Sequence, residues 1–248
     1  MTTDEIKNPS LKVGQCFEHL KAHPGDQPLT DRLMCNLRQL PQGSQWLLLH
    51  KLVSIYGVTY EPILDRCLDR YHQLDSLKTV LRFVNLYKYK DPEDQREKIY
   101  PHQRRLGADI LKRASDELLA NLEEIKQCRG FDELLQRIES ATRPLDGFGQ
   151  VALYDTALRI GAKLDRWPKV VYLHAGTMEG YKNLCAICSG HAYLRKKRVR
   201  QKWVKWVRRE DLCEEVRVLK PHHAENFLCI FKAYFKNSAS RPPSRPCC

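Results

Sequence analysis

Long hydrophobic runs are missing from this sequence of 248 residues. No stretch reaches the roughly 18 consecutive apolar residues that a membrane-spanning helix requires, so no membrane span is predicted. The N-terminus lacks the basic start and the apolar stretch of a secretory signal, which makes the cytoplasm the expected location. A composition of 42% hydrophobic and 29% charged residues is that of a globular protein.

Alternation of apolar and polar residues with period two, the pattern of a half-buried strand, is almost absent. Helical periodicity dominates instead, and it predicts an all-α, multi-helix globular fold. Segment 170–173, which follows Pro168, is either a short extended piece or a connector. The helical segments are 11–22, 29–40, 46–56, 62–71, 77–87, 106–127 and 131–142.

Internal repeats are also missing, so the division of the chain depends on composition. The run 90–98 is charged and contains a proline, which makes it the best internal boundary. The predicted organisation is an N-terminal helical region (1–90), a helical region with a glycine hairpin (91–184), a basic C-terminal helical region (185–236) and a disordered tail (237–248).

A complete zinc motif is missing, although the chain contains ten cysteines. Most of them have apolar neighbours, as expected for reduced, buried thiols. Cys185, Cys188, His191 and Cys213 are ligand types that suit tetrahedral zinc, but a second close pair of ligands is absent. A buried helix explains Cys185 and Cys188 equally well, and the prediction is therefore no metal and no cofactor.

Positive charge is abundant and unevenly distributed. The net charge is +12, and residues 185–248 contain 15 Lys and Arg against 5 Asp and Glu, a net charge of +10. The other 184 residues contain 27 Lys and Arg against 25 Asp and Glu, a net charge of +2. Such asymmetry favours a polyanionic partner, either nucleic acid or an acidic membrane surface.

The densest basic segment is 195–209, with nine Lys and Arg in fifteen residues. Its apolar residues Val199, Trp203, Trp206 and Val207 are spaced as one helical stripe, which predicts an amphipathic cationic helix. Three interpretations stay open: a helix with a solvated basic face, a nucleic-acid contact, or attachment to a membrane surface.

Segment 144–151 has a glycine pattern with a physical mechanism. Gly147 and Gly149 lie between the predicted helix 131–142 and an apolar helix that begins near Val151, and this order resembles the helix-hairpin-helix motif of DNA-binding proteins. The resemblance implies that the amides of Gly149, Gln150 and Val151 contact a phosphate, and that Leu145 and Phe148 anchor the hairpin. A hairpin without a ligand is the alternative, since the segment contains no Lys or Arg.

The all-α base-excision glycosylases combine this hairpin with catalysis, and two of their features are missing here. Val151 occupies the position of their hairpin lysine, and the stretch 171–176, expected to hold their catalytic aspartate, has no carboxylate. A pocket around Asp155, Tyr172 and His174 is a weaker enzyme hypothesis, because no nucleophile accompanies the histidine. The prediction therefore leans against an enzyme and assigns no catalytic residue.

Segments 154–161 and 171–177 together resemble a group of uncharacterised bacterial proteins, and segment 219–229 resembles their C-terminal part. This resemblance implies a shared fold and no activity. The predicted function is non-sequence-specific binding of nucleic acid, with DNA expected. The alternatives are a helical scaffold for an acidic protein partner and an enzyme acting on a nucleotide or base. The predicted contacts are Gly147, Gly149, Gln150, Val151, Arg195, Lys196, Lys197, Arg198, Arg200, Lys202 and Lys205.

Overall fold

A computed structural model describes residues 45–86, 88–90, 97–99, 105–188, 195–199 and 202–238. These residues are mostly helical, which confirms the predicted class, and they also form two small antiparallel sheets. The predicted helices 11–22 and 29–40 lie outside the described residues. None of the helices in the described ranges combines the length and the apolar character of a membrane span.

The chain forms two compact units. Of the described residues, the first contains Pro62–Pro168, and the second joins residues 45–61 with those from Lys169 onward. Helices α2 (Glu61–Gln73), α3 (Leu77–Phe83), α4 (Ala108–Ala120), α5 (Leu122–Lys126), α6 (Phe131–Thr142) and α7 (Gln150–Leu164) supply the first unit. Its sheet pairs strand β1 (Lys88–Lys90) with strand β2 (Glu97–Ile99), on either side of the predicted boundary. The predicted division into four regions stays a prediction.

Local signals explain where several helices of the first unit begin and end. Ser76 precedes α3, and its hydroxyl accepts a hydrogen bond from the Thr79 amide at 3.1 Å. Helix α6 has the predicted bounds, and Glu133 in its first turn accepts a hydrogen bond from the Arg129 amide at 2.8 Å. Helix α7 ends at Leu164, and the next residue, Asp165, has a left-handed φ of 55°, a conformation that commonly terminates a helix.

The predicted single helix 106–127 is wrong in one respect, because it is interrupted at Asn121 between α4 and α5. The φ of Asn121 is −105° and its ψ is 22°, outside the helical range. Its side-chain amide donates to the Glu117 carbonyl oxygen at 2.8 Å. Asparagine side chains compete in this way with the backbone hydrogen bonds of a helix, which apolar periodicity alone does not reveal.

The second unit contains α1 (Gln45–Ile55), a π-helical turn (Tyr56–Tyr60), α8 (Ala175–Ile187), α9 (Glu214–Arg217) and α10 (Pro221–Ser238). Its sheet has the strand order β3-β5-β4, with β3 at Val171–Leu173, β4 at Arg195–Val199 and β5 at Lys202–Val207. One apolar cluster packs these elements together, and it includes Leu52, Tyr56, Val171, Leu173, Val207, Val216, Phe227, Phe231 and Phe235.

The predicted basic helix over 195–209 is wrong: the described part of this segment is a pair of antiparallel strands, β4 and β5. Two physical effects explain the difference. Cations three and four residues apart repel one another on a helix, whereas valine and tryptophan favour strands. Pairing of β5 with β3 then places Val207 opposite Val171, and both residues are buried. The tertiary pairing overrides the local helical spacing.

Candidate functional site

The glycine turn between α6 and α7 has a defined conformation. The amide of Leu145 donates to the Thr142 carbonyl oxygen at 3.0 Å, and the amide of Phe148 donates to the Leu145 carbonyl oxygen at 3.3 Å. Gly147 has a φ of +84°, which a side chain disfavours, so glycine is required by the backbone here. Leu145 and Phe148 are buried, as predicted, while both glycines are exposed.

Helix α7 begins directly after this turn. Gly149 is the residue before the helix and contributes no side-chain cap. The first helical hydrogen bond runs from the Leu153 amide to the Gly149 carbonyl oxygen at 2.9 Å. No acidic residue occupies the first turn, so no carboxylate there opposes an incoming anion. The exposed Asp146 lies within the turn, between Leu145 and Gly147, and works against anion binding. Gln150 and Val151 are half-buried.

Polar residues on α7 serve packing inside the first unit. Arg159 is buried, and its guanidinium donates to the Val84 carbonyl oxygen at 3.1 Å. The Thr156 hydroxyl donates to Asn85 Oδ1 at 2.8 Å. These bonds attach α7 to the end of α3. Asp155 belongs to this unit, whereas Tyr172 and His174 belong to the other, so the pocket expected from these three residues stays a prediction.

The basic strands of the second unit are the outer strand β4 and the central strand β5 of the sheet β3-β5-β4. In the register of β4 with β5, Arg195 lies opposite Trp206, Lys196 opposite Lys205, and Val199 opposite Lys202. Lys205 and Trp206 are half-buried. Six of the predicted contact residues therefore lie on one ribbon, namely Arg195, Lys196, Lys197, Arg198, Lys202 and Lys205. The seventh residue of this group, Arg200, lies outside the described residues. We call β4 and β5 the basic ribbon.

A buried polar network joins α8 to α10 in the second unit. His174 Nε2 lies 2.7 Å from Glu225 Oε1, and the Thr177 hydroxyl donates to the same oxygen at 2.6 Å. All three side chains are less than a tenth exposed. His174 is the residue before α8, and Thr177 lies in the first turn of that helix. We call these residues the His174–Thr177–Glu225 network.

A second group of polar residues lies at the start of α10, which begins at Pro221. His223 Nδ1 and the Tyr56 hydroxyl lie 3.1 Å apart, and Asn226 donates to the same hydroxyl at 3.2 Å. The ring of His222 lies 4.3 Å from that of His223. Burial, helped by His223 and Lys220, lowers the pKa of His222 to about 3, so this imidazole is neutral at physiological pH.

Three half-buried cysteines near the end of α8 and the start of α9 pack against the apolar cluster of the second unit. Cys188 follows the helix, Cys185 lies one turn earlier, and Cys213 precedes α9. A hydrogen bond with Cys213 lowers the pKa of Cys188, against the effect of burial, and the same hydrogen bond together with burial raises the pKa of Cys213. Each of the three cysteines is a half-buried free thiol. His191, the histidine of the zinc combination considered from sequence, lies outside the described residues.

Comparison with known proteins adds no assignment. No family model matches the chain, and neither the curated proteins nor the solved structures contain a match. The resemblances to the helix-hairpin-helix motif and to the bacterial group therefore stay predictions. The candidate sites must be argued from their own chemistry.

Proposed function

We propose that this protein binds nucleic acid without reading its base sequence, and that the basic ribbon makes the main contact. The observation that supports the proposal is the antiparallel pairing of β4 with β5, which brings six Lys and Arg residues onto two adjacent strands. Residues 202–204 of β5 pair with β4 and lie beyond the part of β5 that pairs with β3, and this outer part has the two-stranded form that the major groove of DNA accommodates. The ribbon, like the helix expected from the sequence, concentrates the positive charge that binding to a phosphate backbone requires.

The register gives the ribbon an electrostatic reason to bind an anion. Lys196 lies directly opposite Lys205, and like charges in directly opposed positions destabilise a strand pair. A polyanion placed against the ribbon removes this repulsion and releases its own counterions at the same time. Charge on an outer strand also prevents edge-to-edge aggregation, so a purely protective role is the competing explanation.

We further propose that the glycine turn makes a second, weaker contact with one phosphate. The support is the start of α7, where exposed glycines precede a helix whose first turn contains no acidic residue. Contacts of this kind carry no base information, which agrees with sequence-independent binding. The helix start supplies only a partial charge, so the ribbon provides most of the affinity.

Charge reversal in the ribbon is expected to abolish most of the binding. The variant contains Lys196→Glu, Lys197→Glu and Arg198→Glu, and its affinity for duplex DNA should fall by about tenfold or more. The slope of log K against log salt should be about −5 for the natural chain and smaller in magnitude by about 3 for the variant. Fluorescence anisotropy with two duplexes of scrambled sequence measures both quantities.

The matched control reverses three exposed cations elsewhere in the same unit, Lys182, Arg217 and Lys220, and gives the same net charge. It should retain most of the affinity. Equal losses in both variants would assign the binding to net charge alone and contradict the proposal. If polyglutamate displaces DNA at equal charge concentration, the ribbon belongs to an acidic protein partner instead.

A change of Gln150 to glutamate separates helix stability from phosphate contact at the glycine turn. An acidic side chain in the first turn should stabilise α7 by about 0.3–1 kcal/mol, because it meets the positive end of the helix dipole. The same charge should repel a phosphate and weaken DNA binding by about two- to fivefold. Thermal unfolding and anisotropy measure the two effects, and Gln150→Lys should reverse both. Unchanged affinity in both variants would remove the turn from the interface.

A further inference from the structure

We infer that one face of the basic ribbon binds single-stranded nucleic acid, with an unpaired base stacked on the indole of Trp206. Single-strand binding rests on the proposed function and adds to it the form of nucleic acid that makes an extra contact. The observation behind it is a row of residues across the sheet, in which Trp206 of β5 lies between Tyr172 of β3 and Arg195 of β4. An aromatic side chain beside cations is an arrangement that binds single strands.

The register of the strands decides which cations accompany Trp206. Alternate residues of a strand lie on the same face of a sheet. Arg195 pairs with Trp206, and Lys197 is two residues further along β4. Lys202 is four residues before Trp206 in β5. Three cations therefore share a face with Trp206, and we call these four residues the Trp206 face.

The opposite face of β5 packs against the core of the second unit. Val207 lies opposite Val171, and both residues belong to the apolar cluster of that unit. Trp206, the residue before Val207, therefore lies on the side of the sheet away from this cluster. Its side chain is half-buried, so part of the indole is accessible to a ligand. Tyr172 is on the same side but only 5% exposed, so Trp206 is the member of this aromatic pair that can stack a base.

Stacking on an indole explains why a single strand gains more than a duplex. Every base has a flat π face, so stacking requires no particular base and agrees with binding that does not read the sequence. The bases of a duplex are stacked and paired with one another, whereas an unpaired base can turn out of its strand towards Trp206. The cations of the Trp206 face attract phosphates in both forms. The single strand alone adds the stacking contact.

The test compares the binding of three ligands to the full natural chain: a thymidine oligonucleotide, an abasic oligonucleotide of the same length, and a duplex of that length. Fluorescence anisotropy should show an affinity for the thymidine strand about fivefold or more above that for the abasic strand. Because both strands carry the same phosphates, this ratio should stay constant as salt is raised, while both affinities fall. The comparison does not depend on how well a variant folds.

Variants of the two tryptophans of β5 assign the effect to one face. Trp206→Leu removes the stacking surface and keeps an apolar side chain in the sheet. It should weaken binding of the thymidine strand by about fivefold or more and change the affinity for the other two ligands by less than about twofold. Trp206→Phe keeps an aromatic ring and should retain part of the affinity. Trp203→Leu is the matched control, because Trp203 is three residues earlier in β5 and lies on the other face.

The possible failures are distinguishable. Equal affinity of the natural chain for the thymidine and abasic strands would overturn the stacking contact and leave the proposed function standing. A loss of affinity for all three ligands in both Trp206 variants would show that the indole supports the sheet and does not contact a base. Equal losses in Trp203→Leu and Trp206→Leu would contradict the assignment to the Trp206 face. Absence of binding to every ligand would contradict the proposed function itself.

Discussion

Replacing Gly180 by alanine is expected to lower the free energy of unfolding by about 3 kcal/mol and the unfolding midpoint by about 6–12 °C. A Cβ atom at this position would lie 2.0 Å from the Leu228 carbonyl oxygen and 2.8 Å from its carbonyl carbon. Both atoms belong to the backbone of α10, so no side-chain rotation relieves the clash. The helices α8 and α10 would have to separate, and packing along their contact would be lost.

Two other glycines of the same unit provide graded controls. A Cβ on Gly176, one helical turn before Gly180, would lie 3.0 Å from Cys229 Sγ, which is the end of a side chain and can adjust. Gly176→Ala should therefore cost less than Gly180→Ala. A Cβ on Gly57 would find only Glu61 Oε2 at 3.7 Å, so Gly57→Ala should be neutral or slightly stabilising. Equal effects of all three changes in a chemical or thermal unfolding experiment would contradict the close approach of the two helices.

The sequence predicts elements best where the determinants are local. Helix α6 has the predicted bounds because Gly130 precedes it, Asp132 and Glu133 occupy its first turn, and its apolar residues recur at helical spacing. The glycine turn was expected from Gly147 and Gly149 and from the resemblance to a helix-hairpin-helix, and its residues Leu145 and Phe148 are buried. Signals of this kind survive folding because the groups that interact are neighbours in the chain.

The basic ribbon could not be predicted in this way. Its spacing fits a helical stripe, and the partner that makes it a strand is β3, which lies about thirty residues earlier and is only three residues long. The pairing of Val207 with Val171 becomes favourable only when both are buried in the core of the second unit. Several strongly basic residues were nevertheless identified correctly as one feature, because charge density does not depend on the type of secondary structure.

The close contact of α8 with α10 had a signal that sequence reasoning missed. Gly176 and Gly180 are four residues apart, so they lie on one face of a helix and allow another backbone to approach. No sequence signal pointed to the His174–Thr177–Glu225 network. The hydrogen bond from Thr177 to Glu225 spans 48 positions of the chain, so local patterns do not reveal it.

Removal of the Glu225 carboxylate is the second change with a large expected effect. Glu225→Ala should lower the free energy of unfolding by about 3–5 kcal/mol, because it leaves His174 and Thr177 buried without their shared acceptor. Glu225→Gln keeps one oxygen that can accept a hydrogen bond, and its cost should be nearer 1–2 kcal/mol. Urea unfolding followed by circular dichroism measures both values.

Thr177→Val tests whether the three side chains act as a unit. This change removes one donor and keeps the contact between His174 and Glu225, so it should cost about 1 kcal/mol in the natural chain. In a Glu225→Ala background the same change should cost less or become stabilising, because the hydroxyl then has no acceptor and its removal relieves an unsatisfied buried group. Additive effects of the two changes would show that Thr177 and Glu225 do not interact. A coupling of about 1 kcal/mol or more would instead establish that the network stabilises the packing of α8 against α10.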